Sequence, residues 1–204
     1  MVKIKKDATT EEKILAAAKK IFMQKGMTGA RMQDIADEAG INKALLHYYF
    51  RNKEKLFEVI FREAAGRLFP KINLIFDSDS TLFEKISLFA EEYLTTLIDN
   101  PYLVMFVMNE IHRHPDFFLN KIWKKDRPKP YKFLEQIEEE VKKGTIKKIT
   151  PVQLLMNLIS LCAFPFISKP IFQFQLGLSE SQFREIMEQR KKEIPKFIID
   201  SIKK

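Results

Sequence analysis

Basic and hydrogen-bonding side chains are concentrated in one short segment, residues 43–53, where they could contact a polyanion. Lys43 can reach a guanine edge or a phosphate, and His47 and Tyr48 can donate hydrogen bonds to phosphate oxygens. Lys53 combines a positive charge with the free backbone N–H groups at the start of a helix, which suits a phosphate anchor. These residue types indicate binding to a nucleic acid rather than catalysis.

A helix, a tight turn and a second short helix must position these side chains. Apolar residues recur at helical spacing before the turn, at Met32, Ile35, Ala36 and Ala39. Gly40 then predicts a left-handed helix end, which a residue without Cβ adopts at no steric cost. Asn42 predicts an N-cap for the next helix, because its side-chain oxygen can accept a backbone N–H from the first turn.

The second helix, about Lys43 to Tyr49, has an inner and an outer side. The residues available for the inner side are Ile41, Leu46, Tyr49 and Phe50, whereas Lys43, Ala44, His47 and Tyr48 point outward. A short helix with a basic and aromatic free face, preceded by a helix and a glycine turn, is typical of a helix-turn-helix that reads DNA.

The same segment resembles a known family. The residues that carry the resemblance are Asp34-Ile35-Ala36, Glu38-Ala39-Gly40-Ile41-Asn42-Lys43-Ala44, Leu46, Tyr48-Tyr49-Phe50 and Asn52-Lys53-Glu54-Lys55-Leu56, with Ile14, Leu15, Ala18, Ile21 and Phe22 in the preceding helix. Their order is similar to the signature of the tetracycline-repressor-like (TetR) family. The resemblance covers about Thr10 to Leu56. It implies an all-α fold, in which a three-helix DNA-binding domain is joined to a larger helical domain for effector binding and dimerisation.

Carried over residue by residue, the resemblance implies a set of DNA contacts. The predicted residues are Arg31, Gln33, Asn42, Lys43, Ala44, Leu45, His47, Tyr48 and Lys53. The small side chain of Ala44 would let the helix backbone sit close to the groove. Leu45 could pack on a thymine methyl group, but it lies four residues after Ile41 and could instead belong to the core. Arg31 stands where the family usually has a capping Thr or Ser, and a phosphate contact could replace the cap.

The charge balance favours polyanionic partners. The 204 residues include 35 Lys and Arg against 27 Asp and Glu, a net charge of +8. Residues 1–60 hold twelve basic and eight acidic residues, so +4 falls in under a third of the chain. An excess of this size does not distinguish DNA from anionic lipid. The helix-turn-helix is what favours double-stranded DNA.

Two features of the sequence indicate a cytoplasmic protein. Cys162 is the single cysteine, so an intrachain disulfide is excluded, as expected in a reducing compartment. The basic N-terminus has no apolar core behind it, and the most apolar run, residues 154–167, is shorter than the ~20 residues that a membrane span needs. We therefore expect neither secretion nor a membrane.

The remainder of the chain also has helical patterns, which gives nine or ten helices in total. The predicted domains are residues 1–56, with the DNA-binding motif at about residues 31–50, and residues 57–204 for effector binding and dimerisation. Four-helix packing between two copies, through residues about 151–166 and 180–202, would form the homodimer.

Glycine, proline and capping residues predict several helix boundaries. Helix one is expected to end at Gly26, the fourth helix near Pro70, and Pro195 is expected to kink or split the last helix. Residues 165–177 are expected to form a break between helices. Capping boxes are predicted at Thr81 with Glu84 and at Ser179 with Gln182.

Aromatic residues are dense in the second predicted domain, where fifteen of the eighteen phenylalanines lie beyond residue 60. Such composition suits an apolar pocket for a small-molecule effector, and it also suits a plain core. The predicted pocket residues are Phe89, Tyr93, Met105, Met108, His112, Trp123 and Met156. The effector would be largely apolar, and no cofactor is indicated.

Neither a metal site nor an active site is indicated. Glu110, His112, His114 and Asp116 are two residues apart on a helix, which places neighbours on opposite sides, whereas paired ligands usually lie at i and i+4. A catalytic Ser/His/acid set and a glycine-rich phosphate loop are both lacking, so an enzyme is the weakest interpretation. Cys162 is expected to be a buried small apolar residue.

The sequence therefore predicts a ligand-responsive transcriptional regulator, a repressor that binds a palindromic operator as a homodimer. A small-molecule effector would bind the second domain and release the DNA. An architectural DNA-binding protein that needs no effector is the alternative.

Overall fold

The computed structural model describes residues 9–113, 115 and 127–204. Its elements are α1 (Thr10–Gly29), α2 (Met32–Ala39), α3 (Lys43–Tyr49), α4 (Lys53–Asp77), α5 (Leu82–Asp99), α6 (Leu103–Arg113), α7 (Tyr131–Lys143), α8 (Pro151–Ile167), α9 (Lys169–Leu176) and α10 (Glu180–Ile202). Within these residues the one extended pairing is an isolated antiparallel bridge between Ile146 and Lys203. The all-α prediction with nine or ten helices is confirmed.

The chain divides into two compact units, Met1–Ala64 and Ala65–Lys204, which we call the head and the body. The described core of the head is built from apolar residues of α1 to α4. They are Ile14, Ala18, Ile21 and Phe22 of α1, Ile35 of α2, Leu46 of α3 and Phe57 of α4. The rings of Phe22 and Phe57 meet edge to face, with 5.7 Å between their centroids. The functional assignment of residues 1–56 and 57–204 stays a prediction.

The body packs α5 against α8 and α10, and α7 covers α5 and α8. Leu82, Ile86, Phe89 and Leu97, which recur at helical spacing along α5, are all buried and form part of this core. Both predicted capping boxes are confirmed. Glu84 N–H donates to Thr81 Oγ1 at 3.3 Å, and Gln182 N–H donates to Ser179 Oγ at 3.2 Å.

Two helix ends predicted from local signals are wrong. The backbone of α1 continues through Gly26 to Gly29, since a glycine within a helix costs only about 1 kcal/mol relative to alanine and does not end the helix by itself. Helix α4 continues past Pro70 to Asp77. Pro70 frees the carbonyl of Gly66, and Gly66 is exposed, so water can bind that carbonyl.

Pro165 and Pro195 also lie within helices. A break between helices does lie within residues 165–177, at Ser168, where α8 and α9 meet at a bend, although α8 first continues through Pro165 to Ile167. Helix α10 runs through Pro195 without splitting. No described helix is by itself long and apolar enough to cross a bilayer, although α8 and α9 meet the length and composition criteria as a pair bent by 64°.

Gly40 and Gly66 make a matched pair for testing the turn between α2 and α3. Gly40→Ala should lower the free energy of unfolding by about 1–2 kcal/mol, because its φ of 67° is strained for any residue with a Cβ. Gly66→Ala should raise it by roughly 0.5–1 kcal/mol, since Gly66 lies within α4 and an added Cβ would meet no atom within 4 Å. Urea titrations followed by circular dichroism measure both changes, and a Gly40→Ala variant as stable as the parent would contradict the account.

Candidate nucleic-acid interface and effector site

Backbone hydrogen bonds hold the turn between α2 and α3. Gly40 adopts the left-handed conformation at φ 67° and ψ 32°, and its N–H donates to the carbonyl of Asp37 at 3.1 Å. The N–H of Ile41 reaches back to the carbonyl of Ala36 at 3.0 Å, which completes a glycine-terminated helix end. Asn42 Oδ1 accepts from the N–H of Leu45 at 2.7 Å, so the predicted N-cap is confirmed.

Helix α3 buries a single one of its seven residues, Leu46, which has no exposed surface. The predicted outward residues Lys43, Ala44, His47 and Tyr48 are all exposed, and so is Leu45, which was expected either to contact DNA or to join the core. Tyr48 is 83% exposed, and Leu45 is 37% exposed, which excludes a core position for Leu45. The structure therefore brings the five central predicted residues onto one exposed surface.

Tyr49 does not lie where the sequence predicted. It was expected on the inner side, but it is 41% exposed, and its ring meets the ring of Tyr48 edge to face at 5.6 Å. Helix α3 ends at Tyr49, and the extended backbone of Phe50 turns that next side chain into the core instead. Tyr49 is thus a candidate contact residue that helical spacing alone assigned to the wrong side.

Arg31 and Gln33 lie exposed at the start of α2. A guanidinium cannot accept a hydrogen bond, so Arg31 provides no side-chain cap, and the carboxylate of Asp34 accepts from the Arg31 N–H at 3.2 Å instead. A hydrogen bond from Lys25 holds the pKa of Asp34 below its usual range. Gln33 Nε2 donates to Asp37 Oδ1 at 2.8 Å.

His47 and Lys53 each contact a backbone carbonyl. His47 Nδ1 donates to the carbonyl of Arg51 at 3.0 Å, which leaves Nε2 as the second polar atom of the ring. Lys53 Nζ donates to the carbonyl of Ala30 at 3.3 Å, so the half-buried lysine fastens the start of α4 to the residues between α1 and α2. Arg51 is exposed just beyond α3, and the sequence analysis did not single it out.

Ion pairs in the head neutralise several charges outside α3. Lys20 pairs with Glu38 at 2.6 Å and Lys25 pairs with Asp34 at 3.0 Å, so both pairs connect α1 with α2. Lys43 has no carboxylate within 4.0 Å in the part of the chain that the structure describes. The positive charge at the start of α3 is therefore available to a ligand.

In the body, two of the predicted pocket residues belong to a column of stacked rings. Phe133, Phe76, Phe89 and Tyr93 follow one another with centroid distances of 4.8, 5.7 and 5.3 Å and interplanar angles of 21°, 11° and 16°. Phe89 is buried inside the column. Phe76 and Phe133, which the sequence analysis did not name, are its direct neighbours.

The other predicted pocket residues are not brought together in this way. Met105, Met108 and Met156 are 40%, 37% and 55% exposed, and Met156 lies on the exposed side of α8. His112 is exposed and donates from Nδ1 to the carbonyl of Met108 at 2.7 Å. Trp123 lies outside the described residues. The set as a whole stays a prediction.

Two polar side chains follow the Tyr93 end of the column: Cys162 lies near Tyr93, and Arg190 lies near Cys162. Burial raises the pKa of the Tyr93 phenol, and it raises the pKa of the Cys162 thiol to about 12 although the Arg190 charge opposes this. Arg190 Nη2 donates to the carbonyl of Leu161 at 2.8 Å. That carbonyl lacks its helical partner because Pro165 has no N–H.

In the described residues, no group of three His, Cys, Asp or Glu side chains is arranged to hold a metal ion. Of the four residues weighed for a metal site, His114 and Asp116 lie outside the described residues.

The chain is similar to known regulators. The family described as "Bacterial regulatory proteins, tetR family" matches residues 14–60, which contain α2 and α3. The HTH-type transcriptional repressor KstR2 of Mycolicibacterium smegmatis is 30% identical over 80 residues, 39% of each chain. The fatty acid metabolism regulator protein of Bacillus subtilis is 24% identical over 100 residues, 49% of this chain and 52% of that one. The chain thus spans about half or less of the length of these two relatives.

Solved structures share the fold over the whole chain. The ketosteroid transcriptional regulator KstR2 of Mycobacterium tuberculosis superimposes with a TM-score of 0.71 and 14% identity, covering 98% of this chain and 97% of that one. The exposed α3, the capped glycine turn and the sequence match over the same residues agree with one another. Residues 14–60 therefore form a helix-turn-helix domain of the type found in TetR-family regulators.

Proposed function

We propose that this protein is a ligand-responsive transcriptional regulator, a repressor that binds a palindromic operator as a homodimer and is released by a small molecule. The observation that carries the proposal is the exposed face of α3, which lies within the family-matched residues. The name of the relative KstR2, a transcriptional repressor, supports repression.

In this proposal α3 enters the major groove. Lys43 contacts a guanine edge or a phosphate, and Leu45 packs on a thymine methyl group. Tyr48 donates to a phosphate oxygen, and the Nδ1–H of His47 can exchange the Arg51 carbonyl for a phosphate oxygen. Arg31 adds a phosphate contact from the start of α2, where its guanidinium has no cap to provide.

Two copies of the head are needed to read a palindrome, with the two recognition helices about one DNA turn apart. We propose that the body supplies the contact between copies through α8 and α10, the helices that the sequence predicted at about 151–166 and 180–202. Exposed apolar side chains on α8 support this, because Val152, Met156 and Phe164 are each more than half exposed.

We propose that the effector is a largely apolar small molecule that binds the body. The dense aromatic packing around Phe89 and Tyr93 supports an apolar site, since rings that stack on one another can also stack on a ligand. The names of the fatty acid and ketosteroid regulators similar to this chain support the same class. Effector binding would favour a conformation whose head spacing does not match the operator.

Lys43→Ala should weaken operator binding about tenfold or more, because Lys43 is the charge on α3 without a protein partner. If Lys43 contacts a phosphate, the slope of log affinity against log salt should also fall by about 1. If it contacts guanine, the preference among half-site sequences should relax instead. Fluorescence anisotropy with a duplex selected from random DNA measures all three quantities.

Lys132→Ala is the matched control, because Lys132 is an exposed lysine of the body and its loss changes the net charge equally. It should leave operator affinity within about twofold, since Lys132 lies outside the family-matched residues 14–60 and salt screens an exposed charge that does not contact DNA. Equal losses in the two variants would mean that net charge, and not the exposed face of α3, carries DNA binding.

An effector should stabilise the protein and weaken its DNA binding by linked amounts. A fatty acid or steroid that binds should raise the free energy of unfolding by about 2.7 kcal/mol at a hundred times its Kd. The factor by which it lowers DNA affinity should equal the factor by which DNA lowers its own affinity. Titrating each ligand with and without the other tests this equality. A compound that binds the body and leaves DNA affinity unchanged would favour the effector-independent alternative.

A further inference from the structure

Helices α8 and α9 together present an extended apolar surface. We define this surface by five side chains that are each 52–89% exposed: Val152, Met156, Phe164, Ile171 and Phe174. The ring of Phe164 meets the ring of Phe172 edge to face at 6.5 Å, so the α8 and α9 parts are continuous. Large apolar patches of this kind are rare on monomeric soluble proteins and mark contact sites.

Polar contacts fix α9 in place even though none of its eight residues is buried. Lys169 Nζ pairs with Glu180 Oε1 at 2.5 Å and lies 5.2 Å from the centre of the Phe183 ring. Gln173 Nε2 donates to Glu180 Oε2 at 3.3 Å. The helix is therefore anchored to the start of α10, while Phe174 stays 89% exposed.

The charge pattern points to the occupant of this surface. Residues 149–179 contain one charged side chain, Lys169, and Glu180 already neutralises it. In a symmetric dimer the same patch faces itself, so a charged patch would bring like charges together. An uncharged patch can meet its own copy without that cost.

A membrane surface fits the same residues less well. Helices that lie on anionic lipid carry Lys and Arg along their polar side. The polar side chains of α9 other than Lys169 are Gln173 and Gln175, both neutral. The surface lacks the cations that would attract lipid head groups.

We propose that α9 packs against a second copy of this chain, so that the dimer contact extends from α8 onto α9. This inference rests on the proposed homodimer. A stable interface buries about 800 Å² on each partner, and a single phenylalanine can bury 150–250 Å². Phe174 and Ile171 thus add area comparable to that offered by the exposed side chains of α8.

The Ile171→Ser/Phe174→Ser double variant of the full chain tests the contribution of α9. Its dimer Kd, measured by sedimentation equilibrium, should rise at least about tenfold, because two large apolar side chains no longer leave water on association. Leu74→Ser is the matched control: Leu74 is 72% exposed on α4, and its loss should leave the Kd within about twofold. Circular dichroism would check that both variants keep the parent helix content.

Met156→Ser on α8 separates failure of this inference from failure of the homodimer. If Met156→Ser raises the Kd and the α9 double variant does not, α9 lies outside the contact and the homodimer stands. If the parent protein is monomeric at micromolar concentration, both the homodimer and this inference are wrong. If the double variant abolishes binding to vesicles of phosphatidylcholine and phosphatidylserine but leaves the dimer Kd unchanged, the surface serves a membrane and the inference is wrong.

Phe174→Cys gives a second readout that does not depend on weakening the dimer. The native Cys162 is buried and its pKa is raised to about 12, so at neutral pH the new thiol should be the one that reacts with a maleimide dye. Labelling should slow as protein concentration rises through the dimer Kd. A labelling rate that is the same for monomer and dimer would overturn the inference.

Discussion

The turn from Ala36 to Asn42 is the constraint on which the exposed face of α3 depends. The left-handed Gly40 ends α2, and the carboxamide of Asn42 fixes the first turn of α3. Once its start is fixed, a helix has a single rotational phase, so Leu46 lies in the core while Lys43 and Tyr48 lie in solvent. A cap displaced by one residue would rotate the helix by about 100° and present different side chains.

This turn could be predicted from the sequence because its determinants are neighbours along the chain. The glycine, the cap and the buried Leu46 act within a few residues, and all three have the structure expected of them. The helix ends at Gly26 and Pro70 were predicted wrongly because the local signals do not include packing by residues farther along the chain. Ile72 and Phe76, beyond Pro70, are almost completely buried, and that packing offsets the local cost of the proline. Local propensity does not reveal how much a later turn of helix will bury.

The body shows the same division between local and distant determinants. Phe89 lies at helical spacing with Leu82 and Ile86, and all three are buried on the inner side of α5. Its neighbours in the stacked column come from α4 and α7, at Phe76 and Phe133, and no sequence pattern links residues that far apart. Met156 was predicted to share a pocket with Phe89 on residue type alone, although it lies exposed on α8. A pattern therefore predicts which side chains are buried more readily than which ones meet.

The half-buried Arg190 connects this packing with the surface of α8 and α9. Pro165 deprives the carbonyl of Leu161 of its helical donor, and an unpaired buried carbonyl would favour a break in α8. Arg190 Nη2 donates to that carbonyl from α10. Helix α8 can therefore continue to Ile167, which keeps Phe164 on its exposed side and in contact with Phe172 at the start of α9. A single hydrogen bond inside the body thus helps to keep the apolar surface continuous from α8 to α9.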